Sequence, residues 1–457
     1  MSFLMLNIAG RGLAAQQLAL EVTSNNLTNA TTPGYHRETA VLTEAPPLST
    51  QPGGQLGEGV DVVTVQRASN AYLSHSLRTQ YGLSGYWQQM QQVLNQIQPA
   101  FQEPSTAGLE EALNNFYATY NQLAQDPANP ANQTAVLQQG QVVAETFNQI
   151  ATQVANAQQQ LSQVVVSDIS QINSLAQQIA QLNAQINVVV GSGQAPNDLE
   201  NQRSAYLDQL AKLVNVNYTL DSNGEINVYV GGHTLVAGSQ ATQMTEDPSS
   251  PSLPQPAWVL NAATTPPTTI SALQDLASGD LKAALDARDQ YLAGYLSQLN
   301  SLAQSLANLV NSQSANTPGL FSSNGSSYNP SGITAQDLFF VPNPPTSVNG
   351  STPYQGQNAG INQLYQDLVN GTGGPTLVQL YTKLVNQVGS DGQNAQDQAN
   401  AAQATEQNLN SALQSQVGVD VNQESANIIQ EQQSYAAAAQ IVVVEQQTMN
   451  SLLQAIA

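Results

Sequence analysis

A stretch of sixty residues, 131–190, contains no proline and only one glycine, Gly140. Its apolar residues alternate spacings of three and four, as in the series Ile172, Leu175, Ile179, Leu182, Ile186 and Val189. This spacing predicts a helix whose single apolar stripe packs against other helices. A helix of fifty or more residues would be roughly 75 Å long at 1.5 Å per residue. We therefore expect an elongated molecule rather than a compact globule.

Two further segments carry helical patterns. Residues 280–311 place leucines seven apart, at Leu285, Leu292, Leu299 and Leu306. Residues 375–416 continue without proline beyond Pro375. Together with residues 131–190, these segments predict a stalk of long antiparallel helices.

The two ends of the chain also carry apolar residues at intervals of seven. These residues are Leu6, Leu13, Leu20 and Leu27 at the amino end, and Ile428, Tyr435, Val442, Met449 and Ile456 at the carboxyl end. An amphipathic helix gains most of its stability by packing its apolar face, so each end needs a helical partner. The nearest partner is the other end. Two alternatives follow: a helical hairpin that closes a monomeric bundle, or a pair that contacts neighbouring subunits.

Between the helices, shorter segments alternate apolar and polar residues as strands do. Residues 35–43 and 59–67 suggest a strand pair, and residues 216–236 suggest a hairpin around the turn at 221–224. The fold class expected is mainly α with β insertions (α+β): a rod of long antiparallel helices, with paired terminal helices and small β-rich middle domains. The predicted parts are terminal helices at 1–34 and 420–457, a helical stalk at 35–215, 276–316 and 375–419, a β-rich domain at 216–275, and a Pro/Gly-rich insertion at 317–374 that could hold a small β subdomain.

Composition excludes several classes of function. Only 9% of the residues are charged, and nine basic against 31 acidic residues give a net charge of −22. This charge repels phosphate backbones and anionic lipid headgroups, so nucleic acid and membrane surfaces are not expected as partners. The chain has no cysteine, and its start lacks the basic and apolar regions of a Sec signal. If the protein leaves the cell, we expect another export route.

No residue pattern points to catalysis, a cofactor or a metal. The histidines His36, His75 and His233 are scattered, and no HExxH, GxSxG, P-loop or GxGxxG motif occurs. The acidic residues at 221–225 suit a hairpin turn better than a calcium loop, because a distant bidentate glutamate is missing. An enzyme would need an active site in the 317–374 insertion, where Asp337 and Asp367 have no partner chemistry. We therefore expect no catalytic, cofactor-binding or metal-binding residues.

The segment that ends the first helix is the most specific motif. Residues 18–35 read LALEVTSNNLTNATTPGY and include Asn25, Asn26, Pro33, Gly34 and Tyr35. This sequence resembles the flagellar rod, hook and hook-associated protein family. Within that family the continuation His36-Arg37-Glu38 is similar to the hook-associated protein 1 members, which usually have Ser, Arg and Gln there.

Other parts of the chain carry the same resemblance. Residues 197–203 (NDLENQR), which end in Arg203, resemble a stalk motif of the family, with Glu200-Asn201 where Leu-Asp is common. Arg203 could pair with Asp198, although a solvated helix face is the simpler expectation. Residues 418–424 and 432–439 resemble the family's terminal helix.

The resemblance implies a structural subunit of the junction between flagellar hook and filament, outside the cell. Such proteins are exported unfolded through the flagellar type III apparatus and assemble through their terminal helices. The implied partners are the hook protein, the second hook–filament junction protein, further copies of the chain in a helical ring, and a cytosolic export chaperone at the carboxyl-terminal helix. The alternatives are another axial flagellar protein (hook, rod or second junction protein) or a type III translocator-like secreted coiled-coil protein.

Overall fold

The computed structural model describes residues 2–46, 57–101, 108–250, 253–261, 263–264, 267–312, 319–323, 333–342, 358–371 and 374–456. The α-helices are α1 Ser2–Thr28, α2 Ala71–Ile97, α3 Leu109–Gln125, α4 Pro130–Gly191, α5 Asn197–Leu213, α6 Asp280–Asp286, α7 Ala293–Asn311, α8 Asn358–Asn370, α9 Leu377–Val417 and α10 Val421–Ile456. The strands are β1 Glu38–Glu44, β2 Val60–Arg67, β3 Asn217–Leu220, β4 Ile226–Val230, β5 His233–Ala237, β6 Gln240–Ala241, β7 Met244–Glu246, β8 Pro256–Asn261, β9 Thr268–Ser271, β10 Gly319–Ser323 and β11 Leu338–Pro342.

The long helix α4 is the backbone of the stalk. It contains 62 residues and is therefore about 93 Å long. Asn129 caps its start by accepting a hydrogen bond from the backbone N–H of Ala131, and Pro130 occupies the first turn, where its missing N–H costs nothing. Helices α2, α3, α5, α6, α7 and α9 pack around α4 or one another to complete the stalk.

The helix predicted at 280–311 is interrupted by a wider turn. A π-helical segment, Ala287–Leu292, separates α6 from α7. Within it Arg288 is fully buried, and its guanidinium donates to the carbonyl of Pro254 at 2.9 Å and contacts the carboxylate of Asp289 at 2.6 Å. The leucine heptad gave no sign of this interruption, because Leu285, Leu292, Leu299 and Leu306 stay buried on both sides of it.

The strands form four small antiparallel sheets in the described residues. β1 pairs with β2, and one extra residue, Val63, bulges out between the partners of Val41 and Leu42. The segment 217–271 forms a four-stranded sheet in the order β3-β4-β5-β6 and a three-stranded sheet in the order β7-β8-β9. The predicted turn at 221–224 closes the β3-β4 hairpin, with Gly224 at φ 81°.

The described part of the 317–374 insertion holds the β10-β11 hairpin and α8, a helix that the sequence did not suggest. The hairpin packs on α4 where that helix has its single internal glycine. A Cβ on Gly140 would lie 2.5 Å from the ring of Phe340, so only glycine lets the ring approach. Asn311 fixes the hairpin to α7, because its side chain donates to the carbonyl of Phe321 and accepts from the N–H of Phe321.

One main hydrophobic cluster runs through the stalk and both β-bearing segments. Buried side chains of α4 belong to it together with Trp258 of β8 and Phe321 of β10. The division of the chain into separate domains therefore remains a proposal. The predicted fold class, mainly α with β insertions and paired terminal helices, is confirmed. Among the described helices, none has a stretch both long and apolar enough to cross a membrane.

The buried carboxyl group of Asp168 on α4 predicts a pH dependence of stalk stability. Burial and the neighbouring Asp280 raise the pKa of Asp168 from 3.8 to about 7, and burial raises that of Asp280 to about 6 against the opposing charge of Lys212. The folded state then holds protons that the unfolded state has released between pH 4 and pH 7, so stability falls as pH rises through this window. Asp168 contributes at most ~4 kcal/mol to this change in the free energy of unfolding.

We expect thermal unfolding, followed by circular dichroism, to occur at a higher temperature at pH 5 than at pH 8. Asp168→Asn should shrink this difference and stabilise the stalk at pH 8. Asp397→Asn, a change of an exposed aspartate on α9, is the control. Equal pH profiles for Asp168→Asn and the wild type would contradict the assignment.

Candidate assembly site at the terminal helix pair

The two terminal helices pack against each other beside the β1-β2 hairpin. The hydroxyl of Thr23 on α1 donates to the Glu431 carboxylate on α10 at 3.0 Å. At the base of the pair, the N–H of Arg37 donates to the carbonyl of Val417, the last residue of α9, at 2.7 Å. Because α1 runs toward this base and α10 runs away from it, the pair is antiparallel.

The row of leucines predicted on α1 is not the most buried row of that helix. Ala9, Ala15 and Val22 are buried, with exposed fractions of 8% or less. The predicted row lies to one side, with Leu6 exposed and Leu13, Leu20 and Leu27 half-buried. Small side chains lie where α1 meets its neighbours, and the leucines flank that contact.

On α10 the predicted row is partly covered, apart from Tyr435. Ile428, Val442 and Met449 are half-buried, and Tyr435 is 39% exposed. Ile456 belongs to α10, but its side chain is outside the described residues. A second apolar surface of α10 faces away, with Ile429, Ile441, Val443 and Val444 43–58% exposed. Thus the α10 helix has more apolar surface than α1 covers.

The family motif after α1 forms a buried hydrogen-bonded turn. Asn26 is 1% exposed; its amide donates to the carbonyl of Glu38 at 2.8 Å, and its oxygen accepts from the N–H of Glu38 and the hydroxyl of Tyr35, both at 2.9 Å. Gly34 has φ 79°, a conformation that glycine adopts without strain. Burial, with the nearby Glu38, Asp198 and Glu424, raises the pKa of Tyr35, so its hydroxyl stays a donor. The turn therefore joins α1 rigidly to β1.

Other residues of the motif have different surroundings. Asn25 and Pro33 are exposed; Asn25 bonds Asn29 one turn later through its side-chain oxygen, at 2.8 Å. Arg37 is half-buried, and its backbone joins α9 to the residue after β2. His36 is buried against the carbonyl of Ala68, and burial together with Arg67 lowers its pKa to about 4.

The β1-β2 hairpin connects the terminal pair to the stalk. On one side, Arg11 of α1 holds the carboxylate of Asp61 with two hydrogen bonds, at 2.8 and 3.0 Å. On the other side, Arg67 donates to Asn201 of α5, and the amide of Asn197 donates to the carbonyl of Val65. The family motif at 197–203 is thus partly an attachment surface for this hairpin.

The structure overturns both expectations for Arg203. It is neither solvated nor paired with Asp198, but 5% exposed, and it donates to the side-chain oxygen of Asn183 at 2.9 Å and to the carbonyl of Gly224 at 2.7 Å. Burial lowers its pKa to about 10. The neighbouring β3-β4 turn folds over α4 and α5 at this point and covers the guanidinium, which a pattern within α5 alone could not indicate.

A set of carboxylates near the turn was missed by the sequence prediction. Glu38 and Glu424 are 8% and 3% exposed, and Glu431 is half-buried beside Thr23. Burial and the charge of Asp198 raise the pKa of Glu38, and burial and the charge of Glu424 raise that of Glu431. A sequence signal existed, because positions 424, 431, 438 and 445 also recur every seven residues and complete the seam of α10.

The scattered candidates for chemistry have local structural roles. His75 is exposed, and His233 stacks on Trp258 with its Nδ1 2.8 Å from the carboxylate of Asp275. Asp337 accepts hydrogen bonds from Thr334, and Asp367 accepts one from Gln363. Within the described ranges, no group of three or more histidine and acidic side chains is placed to hold a metal ion.

Two protein families match parts of this chain. Residues 94–327, which are 234 of the 457 residues, match the family described as the flagellar hook-associated protein FlgK helical domain. The chain belongs to the FlgK family. Residues 6–36, which include α1 and the buried turn, match the flagella basal body rod protein family. The first match covers the stalk helices α3 to α7, and the second covers the region of the terminal helix α1.

Known FlgK-family relatives cover much of this chain. The flagellar hook-associated protein 1 of Salmonella typhimurium is 30% identical over 76% of this chain, and that of Escherichia coli K12 is 30% identical over 68%. The Bacillus subtilis protein of the same name is 33% identical over 49%. The chain spans 61%, 56% and 45% of the length of these relatives, respectively.

A solved structure supports the fold of the FlgK-family chain. The flagellar hook junction protein FlgK from Burkholderia pseudomallei superposes with a TM-score of 0.62, at 17% sequence identity. The superposition covers 75% of this chain and all of that one. At this identity the likeness concerns the fold alone.

Proposed function

We propose that this chain is a structural subunit of the junction between the hook and the filament of a bacterial flagellum. The main observation behind the proposal is that both helices of the terminal pair leave apolar side chains exposed. Membership of the FlgK family supports it, and so does the rod-protein match of the α1 region.

The uncovered surface explains how such a subunit would assemble. Met5 and Leu6 of α1 and the outward residues Ile429, Ile441 and Val443 of α10 are each 40–58% exposed. Burying such a side chain fully contributes about 1.5–3 kcal/mol, so a row of them drives association with neighbouring helices. The leucines beside the α1 contact and the outward face of α10 are the proposed contact surfaces between subunits.

The partners follow from this role. We propose the hook protein on one side, the second hook–filament junction protein on the other, and further copies of the chain within a helical ring. The subunit would leave the cell unfolded through the flagellar type III apparatus and act outside the cell. An export chaperone would cover α10 in the cytosol, since an apolar helix face without partners favours aggregation.

We infer a structural rather than a catalytic role. The alternative functions are those of another axial flagellar protein (hook, rod or second junction protein) and of a type III translocator-like coiled-coil protein, which would also have helical ends. The family match of residues 94–327 favours the junction subunit over both.

Electron microscopy of cells that lack the gene tests this function. We expect hooks of normal length without filaments, and flagellin subunits shed into the medium. Restoration of the gene should restore the filaments. Cells that keep filaments on their hooks without the gene would contradict the proposed function.

A further inference from the structure

A polar groove lies between α1, the β1 strand and α10, with a volume of about 490 Å³. Its walls include Glu38, Glu424 and Glu431, together with Arg37 and Thr23. We call it the carboxylate groove. It differs from the apolar faces proposed above as subunit contacts, because charged side chains surround it.

The carboxylate groove holds polar atoms that the described chain leaves without partners. One carboxylate oxygen of Glu38, a residue only 8% exposed, is buried without a hydrogen-bond donor, and so is one oxygen of Glu431. Leaving a buried acceptor unpaired costs about 1–3 kcal/mol, and more for a charged group. Such groups persist where a later contact satisfies them.

The net charge of the carboxylate groove is negative. Three carboxylates and one guanidinium, that of Arg37, line the groove. No ion pair joins Arg37 to these carboxylates in the described part of the chain, and its Nε is buried without an acceptor. The raised pKa values of Glu38 and Glu431 have the same origin, since burial and neighbouring carboxylates disfavour their charged forms. A cation placed in the groove would reverse both effects.

This chain cannot readily supply that cation from the terminal helices of a second copy. Helix α10 contains no lysine, arginine or histidine. The single basic residue of helix α1 is Arg11, which is already paired with Asp61 and with Glu58. If a terminal helix supplies the cation, that helix must have a different sequence.

We propose that the carboxylate groove receives a lysine or arginine side chain from the terminal helix of an unlike axial subunit, and so distinguishes such a neighbour from a second copy of this chain. The inference rests on the proposed function, which places unlike axial subunits next to this one. A charge-assisted hydrogen bond to each carboxylate would hold the cation.

The experiment measures binding of the purified chain to flagellar hooks isolated from cells that lack it. Glu431→Gln keeps the shape of the side chain and removes its charge, and the double variant E38Q/E431Q removes two charges. We expect affinity to fall about tenfold or more, since a hydrogen bond to a charged group contributes about 1.5–3 kcal/mol. Glu44→Gln, the same change at an exposed position of β1 outside the groove, should bind as the wild type does.

The dependence of hook binding on salt concentration and pH is a second measurement. Binding of the wild type should weaken with added NaCl, and should weaken as pH falls and Glu38 and Glu431 take up protons. Glu431→Gln should show smaller dependences on both. Far-ultraviolet circular dichroism checks that each variant keeps its helices, and Glu431→Gln serves where the buried Glu38 change disturbs folding.

Two results would overturn the proposal. In the first, the charge-neutral variants bind hooks as the wild type does. In the second, the same variants change self-association in analytical ultracentrifugation, which would assign the groove to a second copy. If the wild type fails to bind hooks at all, the proposed function itself fails, and the groove's role fails with it.

Discussion

A chain that lacks residues 422–457 is expected to keep a folded stalk and to lose incorporation into flagella. Neither hydrophobic cluster of the described residues contains a side chain of α10. The core around α4 therefore loses no apolar contact, whereas α1 loses its partner and the proposed subunit surface disappears. Incorporation, measured by immunoblotting of purified flagella, should fall below a few per cent of the wild-type value.

The matching measurement on the isolated protein is thermal unfolding. We expect the stalk transition of the shortened chain to lie within a few degrees of the wild-type transition. Deletion of residues 1–30 should behave alike, except that it also removes the Asn26 bonds to β1. Normal incorporation by either shortened chain would exclude the terminal helices as the assembly site.

A point variant separates loss of the helix from loss of its surface. Val442→Asp puts a carboxylate into the half-buried seam between α10 and α1, and Leu20→Asp does so beside the contact on α1. Both should reduce incorporation at least about tenfold, because an unpaired buried charge costs several kcal/mol. Gln403→Asp adds the same charge to an exposed position of α9 and should incorporate normally.

Asn183→Ala is expected to lower the free energy of unfolding of the stalk more than any of the other substitutions of polar residues. Asn183 is fully buried, and its amide donates to the carbonyls of Ile226 and Gly238, both at 2.7 Å. Its oxygen accepts from Arg203 at 2.9 Å and from the N–H of Ile226 at 3.2 Å. Alanine removes all four bonds and leaves a buried guanidinium poorly satisfied. We expect a loss of about 3–5 kcal/mol.

Urea unfolding followed by tryptophan fluorescence measures this loss, since Trp258 lies in the same cluster as the adjoining β4 strand. Asn187→Ala is the control: Asn187 lies one turn along α4, is half-buried, and makes one described hydrogen bond, to Glu225. It should cost about 1 kcal/mol or less. Equal losses for the two variants would show that the Asn183–Arg203 contact does not join the β3-β4 turn to the stalk.

The terminal site shows how far sequence patterns reach. The heptad of Ile428, Tyr435 and Val442 on α10 includes two half-buried residues and one exposed residue, Tyr435, and its role as an assembly surface stays a prediction. The leucine heptad of α1 is not the most buried row of that helix, because Ala15 and Val22, each two positions after a leucine of the heptad, are buried. An interval of seven identifies rows of residues on a helix, but it does not show which row the rest of the fold covers. Packing against β1 and β2 decides between them.

The chain by itself determined the elements whose causes are local. The 60-residue stretch without proline determined α4, the residues before Tyr35 determined the end of α1, and the turn at 221–224 determined a hairpin. Helix propensity, apolar period and turn chemistry act over a few residues, so they can be read in order along the chain.

Only the tertiary structure decided the surroundings of Arg203, the π-helical turn at Arg288 and the carboxylate groove. Each depends on residues far apart in the chain: Arg203 meets Asn183 and Gly224, and Glu38 shares a groove with Glu431. Burial, and with it the pKa and the need for a partner, is a property of all the elements that surround a side chain. No periodicity along one helix encodes it.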